Sequence, residues 1–270
     1  MPFIVRPSRG RIRINFSELW AYRELVYFFV WRDVKVRYKQ TVLGAAWAVA
    51  QPFMTMVVFS VFLGRLAKVP SDGLPYPLFV FAGLLPWTYF ATAVGSGANS
   101  LVGSQILLSK VYFPRLLIPI ASVLTPLVDF AVAFTILIGM MVWYGARLTP
   151  EVLWLPPLLL LAVTAALAVS LWLAVLNVEY RDVRHLVPFL IQFFFFATPV
   201  VYPASLVPEE WRALYGLNPM AGVVEGFRWA LLGTPPPGVP LLISSVVVVA
   251  VLTGGLMYFR RLEGTFVDII

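Results

Sequence analysis

Between Val42 and Leu63 the chain runs for 22 residues without a charged side chain. At 1.5 Å per residue, a helix of that length reaches about 33 Å, enough to cross a hydrocarbon core roughly 30 Å thick. Directly before this run stand Arg32, Lys35, Arg37 and Lys39, with Asp33 as the one acid among them. Cations at one end of a span hold that end in the cytoplasm, so this basic shoulder sets the orientation of every later segment. Inside the run sits Gln51-Pro52. Pro52 cannot donate a backbone N–H, and a glutamine in hydrocarbon needs a protein or water partner. The pair therefore predicts a kinked or thinned helix packed within a bundle.

Composition supports the same class. The chain is 60% hydrophobic and 12% charged, whereas soluble domains carry about a quarter charged residues. An integral membrane protein is expected. There is no cysteine, which removes disulfides and thiolate metal sites. The one histidine, His185, leaves little from which to build a metal centre or a histidine-dependent triad. A net charge of +7 raises the question of nucleic acid. Nine of the 20 Lys and Arg precede Gln40, however, and a membrane topology signal explains them more simply. Residues 1–16 are basic but lack an apolar core and a small-residue cleavage site, so no signal peptide is expected.

Read in order, residues 1–40 form a cytoplasmic basic arm and an amphipathic interfacial helix. That helix is capped by Ser17, with Tyr22, Leu25, Val26, Phe29 and Val30 at helical spacing. Residues 41–260 are an all-α membrane domain of six spans, at about 42–64, 78–97, 116–144, 152–178, 186–202 and 241–259. The second span is interrupted by Gly83 and Pro86-Trp87, and the third contains Pro119, Pro126 and Asp129. Residues 204–233 carry five charges and Asn218-Pro219, which fits two short re-entrant helices against protein or water better than a crossing. Residues 261–270 are a cytoplasmic tail. With both termini inside, the outer segments hold only Arg65, Lys68, Arg147, Arg212 and Arg228, in keeping with the positive-inside bias.

No phosphate-binding G-x-x-x-x-G-K-[ST] loop occurs, so the chain does not cradle ATP in the usual backbone loop. Nor can a nucleophile, a base and an orienting group be assembled around one histidine. The chain alone is expected to be neither an enzyme nor a cofactor carrier. Two compact charged loops between long spans instead suggest something docking from the cytoplasm.

Several stretches carry a resemblance. RDVKVRYKQTVLGAAWAVAQP (32–52), FAGLLPWTYF (81–90), LLSKVYFPRLLIP (107–119), NVEYRDVRHLVPFLIQ (177–192), ATPVVYP (197–203) and LNPMAGVVEGFRWALLG (217–233) resemble the polysaccharide and polyol-phosphate exporters among ABC transporter membrane subunits. The match covers roughly residues 17–260. It implies a homodimer in the bacterial inner membrane, working with two copies of a separate cytoplasmic ATP-binding subunit that holds ATP and Mg. It also implies export of a lipid-linked glycan such as O-antigen, capsule or teichoic acid. By position, the coupling loops are 104–115 and 177–184. The ATPase contacts are then expected at Ser104, Lys110, Glu179, Tyr180, Arg181, Asp182 and Arg184.

Other residues remain open between two readings. Arg32, Lys35, Arg37 and Lys39 either attract the pyrophosphate of a lipid-linked substrate to a lateral entrance or serve topology and anionic lipid alone. Asp129, deep in a span, must face the bundle or a wet cavity; it is either a proton-coupling group or a partnered structural acid. Gln51, Trp87, Tyr89 and Tyr202 are candidates for a translocation pathway or gate, against the plainer reading of interfacial aromatics. Glu225 and Arg228, three apart on a helix, are expected to pair. An exporter of a drug or lipid, a membrane-embedded glycan-transferring enzyme and an ion-coupled transporter are the rivals.

Overall fold

The computed structural model describes residues 16–39, 44–147, 149–180 and 182–263. It is all-α, with no strand among the described residues. Two helices precede the first span: α1 (Phe16–Ala21) and α2 (Arg23–Lys39). The expected cap at Ser17 is not one, because α1 already begins at Phe16. The basic shoulder is continuous with the apolar part of α2 rather than a separate segment. Its alternation of charged and apolar residues gives way to the helical spacing that precedes it.

The first span is α3 (Gly44–Phe59), extended by a π-helical stretch at Ser60–Leu66. Pro52 lies within α3 without ending it. After a turn comes α4 (Tyr76–Ala98), with Pro77 in its first turn, where a missing N–H costs nothing. Gly83 and Pro86 do not interrupt it. Two short helices, α5 (Ser100–Gly103) and α6 (Gln105–Lys110), lead back to α7 (Leu117–Leu124) and α8 (Leu127–Trp143). The expected third span at 116–144 is thus broken in two at Thr125-Pro126. Proline has no N–H to offer the carbonyl four residues back.

A short 3-10 helix, Pro150–Trp154, opens α9 (Leu155–Glu179). Then come α10 (Val183–Ala197), a second 3-10 turn at Ala204–Leu206, α11 (Glu209–Tyr215), α12 (Ala221–Leu232) and α13 (Gly238–Leu262). Five of the helical stretches are long and apolar enough to cross a membrane, at 49–66, 76–98, 117–143, 150–179 and 238–262. The expected fifth span, 186–202, is helical only to Ala197, and α10 with its 15 residues is shorter than those five.

The core is built on α4, which is buried over most of its length between α9, α8 and α12. Its packing needs small residues. A Cβ at Gly97 would collide with the Ser170 side chain on α9, and one at Gly226 of α12 with Leu158. A second cluster joins Leu25, Val26 and Phe29 of the N-terminal helices to Leu117, Ala121, Leu171, Val175 and Phe259. This seats α2 chiefly against α7. By contrast, α3, α10 and α13 leave large apolar side chains exposed, among them Met54, Phe189, Phe193 and Val246.

Candidate functional site

The ends of α4 and α9 are tied together by side-chain amides. Asn177, buried in the last turn of α9, donates Nδ2 to the Ala98 carbonyl at 3.0 Å and lies 3.2 Å from Asn99 Oδ1. Those are groups at the end of α4, where helical carbonyls run out of partners. Asn99 in turn donates to the Gly95 carbonyl at 2.9 Å, and Ser100 to that of Gly97 at 2.6 Å. The turns leaving both helices therefore project from one rigid base.

From that base α6 presents Ile106 and, beyond it, Tyr112, which are 73% and 82% exposed, while Leu108 points inward. Tyr180 is exposed on the neighbouring turn. The end of α13 closes over the same region. Tyr258 donates its hydroxyl to Glu179 at 3.0 Å, the Arg115 guanidinium donates to the Glu263 carbonyl, and Arg260 pairs with Glu263 at 2.9 Å. Ser104 is half-buried between α5 and α6, and Lys110, Glu179, Tyr180, Asp182 and Arg184 are exposed. All six project from this one end of the bundle. Arg181 lies outside the described residues. Asn177, which anchors both turns, opens the stretch 177–184 expected to be a loop but belongs to α9; a lone asparagine near a helix end has no pattern that marks it as an anchor.

The basic shoulder is less uniform than the sequence suggests. Arg32 pairs with Asp33 at 2.8 Å and lies over the Phe29 ring, while Lys35 stacks over Trp31 at 4.3 Å. Lys39 is exposed. Arg37 reaches across to Asp129 in the first turn of α8, and Tyr38 donates its hydroxyl to the same carboxylate. Burial, then the bond to Asp129, pushes the Tyr38 hydroxyl up to about 12. Asp129 is thus a partnered acid at the junction of α2 and α8. Its partners lie 91 and 92 residues away, beyond the reach of local spacing.

Of the pathway candidates, Trp87 and Tyr89 are buried inside the chain and offer no free ring face. Trp87 packs on Phe90 and Phe195, and the Tyr89 hydroxyl bonds the Val123 carbonyl at 3.1 Å. Gln51 is exposed on α3 rather than packed inward. Tyr202 is half-buried, with its hydroxyl 2.6 Å from that of Tyr215.

At the end away from α2, Arg228 organises the segment that stops α10 from continuing. Its buried guanidinium donates to the carbonyls of Pro199 and Val200 at 2.5 Å and of Phe79 at 3.2 Å, and lies 3.7 Å over the Phe79 ring. Tyr76 donates to the next carbonyl, that of Val201, at 2.7 Å. Side chains therefore take the place of helical N–H groups along 199–201. Gly83 makes this possible, since a Cβ there would sit 2.8 Å from the Val200 carbonyl.

Glu225 does not form the expected ion pair with Arg228; it accepts instead from the Ala204 N–H at 3.3 Å. Burial holds its carboxyl above the ordinary value, outweighing the attraction of Arg228. Burial likewise lowers Arg228 to about 10, leaving it charged at neutral pH. Both residues line a cavity of about 600 Å³ with Asp72, Glu209, Arg212 and Tyr215.

The residues from Glu24 to Leu232, which span both of these ends, match the family model described as ABC-2 type transporter. The chain belongs to this family. The ABC-2 chain is 33% identical over 257 residues to an O-antigen export system permease protein, RfbA, of Myxococcus xanthus, covering 94% of this chain and 98% of that one. An RfbA of Klebsiella pneumoniae is 27% identical, over 88% of this chain and 92% of its own. The polysialic acid transport protein KpsM of Escherichia coli is 23% identical, over 86% and 91%. The ABC-2 architecture makes this chain a transmembrane permease subunit, not an enzyme by itself.

Proposed function

We propose that the chain is the permease of an ATP-driven exporter for a lipid-linked polysaccharide. Two copies form the conduit in the bacterial inner membrane, with both termini cytoplasmic. The near full-length match to an O-antigen export permease carries this reading. Six crossings are counted by adding α10 to the five membrane-length stretches, and α11 and α12 are read as re-entrant helices on the outer side. Short as it is, α10 crosses if residues 198–203 prolong it, and the partners supplied by Arg228 and Tyr76 satisfy that non-helical backbone.

Under this reading the face bearing Ser104, Lys110, Glu179, Tyr180, Arg181, Asp182 and Arg184 receives a separate ATP-binding subunit, which holds ATP and Mg. The Asn177 link between α4 and α9 turns subunit closure into a push on both helices rather than on two independent loops. Arg32, Lys35 and Lys39 remain the cations that attract a substrate pyrophosphate at the shoulder. Arg37 does so only by leaving Asp129. Tyr202 borders the outer gate.

Affinity purification of the chain from its own cells is expected to bring down an ATP-binding protein. Deleting the chain is expected to leave lipid-linked glycan on the cytoplasmic side. A chain that purifies without such a protein, or whose loss leaves surface glycan unchanged, overturns the proposal.

A further inference from the structure

A groove of about 820 Å³ runs between α3 and α8 at the end of the bundle remote from α2. Phe53, Met56, Val57, Ile136 and Met140 wall it. Two glycines shape it. At Gly139 an added Cβ would meet nothing within 4 Å, so the groove is open there because a side chain is missing. At Gly64 a Cβ would stand 2.8 Å from the Tyr76 ring, so glycine lets that ring close the far end. The π-helical stretch at Ser60–Leu66 forms part of one wall, and such local widenings accompany functional sites.

The polar groups are confined. Arg65 lies at the mouth, no acid lines the groove, and no ion pair to Arg65 occurs among the described residues. Trp143 and Tyr144 are exposed at the same mouth, as aromatics at a membrane interface are. Arg65 also sits at the end opposite the basic shoulder, where topology supplies no reason for a cation.

We propose that this groove is a discrete binding site for an anionic phospholipid, with an acyl chain along the α3–α8 walls and the phosphate on Arg65. Charge and depth choose the occupant. The walls lie within two membrane-length stretches, so hydrocarbon is their surroundings. A phosphate oxygen is the acceptor that an unpaired guanidinium at headgroup level recognises most strongly. A second copy of the chain would have to bring its own acid to Arg65, since a covered and unpaired cation is costly. The site is independent of whatever cargo the permease moves.

Native mass spectrometry of the full-length chain, titrated with phosphatidylglycerol and with phosphatidylcholine, tests this. The wild type is expected to hold one phosphatidylglycerol per chain in preference to phosphatidylcholine by about 10-fold. Arg65→Gln should bring that preference to near unity while an adduct persists. Gly139→Phe should abolish the adduct of either lipid, and Val57→Trp, which fills the groove from the other wall, should do the same. Gly139→Ala, whose Cβ has open space, should keep it and so report an intact fold. Equal retention of the two lipids by the wild type, or unchanged binding in Arg65→Gln and in both filled variants, overturns the proposal. So does an adduct that disappears whenever two copies associate, because the second copy is then the occupant.

Discussion

Arg37, in the last turn of α2, meets Asp129, in the first turn of α8, and Tyr38 bonds the other oxygen of the same carboxylate. The contact ties the basic end of α2 to α8, just past the break at Thr125-Pro126. Asp129 is 22% and Arg37 35% exposed at the side chain, so the pair is worth more than a surface bridge and less than a fully buried one. Arg37→Gln and Asp129→Asn are each expected to cost about 1–3 kcal/mol. Their effects should add to less than the sum in the double variant, because the two substitutions remove the same ion pair. Thermal unfolding of the four proteins in detergent measures this, and additive losses would show that the residues act separately.

Arg228 is expected to be the costliest single side chain to remove at the opposite end. Its guanidinium serves three carbonyls, two of them in a stretch with no helical bonding. Arg228→Met leaves those acceptors unsatisfied in a buried place, at roughly 1–3 kcal/mol for each one that finds no water. Arg228→Lys should rescue little, since an ammonium cannot fork to neighbouring carbonyls and lie flat on Phe79 as well. Limited proteolysis near residues 198–208 reads the result directly. Protection equal to wild type in Arg228→Met would show that Pro199 and Pro203 alone hold the segment.

Apolar run length made the long helices legible in the sequence, and the basic turns between them followed from charge. What stayed hidden are the contacts that override local pattern. Nothing near Asp129 signals Arg37, because α3 and α4 lie between them in the chain. The expected Glu225–Arg228 pair fails because three carbonyls from two distant segments claim the guanidinium first. Trp87 and Tyr89 read as pathway or gate candidates because proline adjoins them, yet α4 is the most buried of the membrane-length stretches and takes them inward. Pro52 and Pro86 sit inside continuous helices while Pro126 breaks one. A proline lowers the cost of a break, and packing on either side decides whether one occurs.

Asn177 supplies a test of how motion passes between the two turns. Asn177→Leu keeps the volume but removes both bonds to the end of α4. The protein should still insert and fold, with a stability loss of about 1–2 kcal/mol. In the complete exporter, glycan export is expected to fall further than ATP turnover, since closure no longer drives α4 and α9 together. An unchanged ratio of glycan exported to ATP consumed would place the coupling elsewhere.

Glu225 gives the end of the bundle away from α2 a pH dependence of definite sign. Burial holds its carboxyl above the ordinary value of 4.5, so the folded protein binds this proton more tightly than the unfolded chain does. The stabilising contribution is then complete below about 4.5 and is lost as pH rises through the higher folded value. Glu225→Gln keeps an oxygen for the Ala204 N–H and cannot ionise. The variant should therefore gain thermal stability relative to wild type as pH is raised from 4.5 to 8, with the gap closing at the acid end. Melting temperatures in detergent across that range decide it. If the two proteins fall in parallel, the carboxyl is solvated well enough to ionise without penalty. The cavity beside Arg228 must in that case be wet.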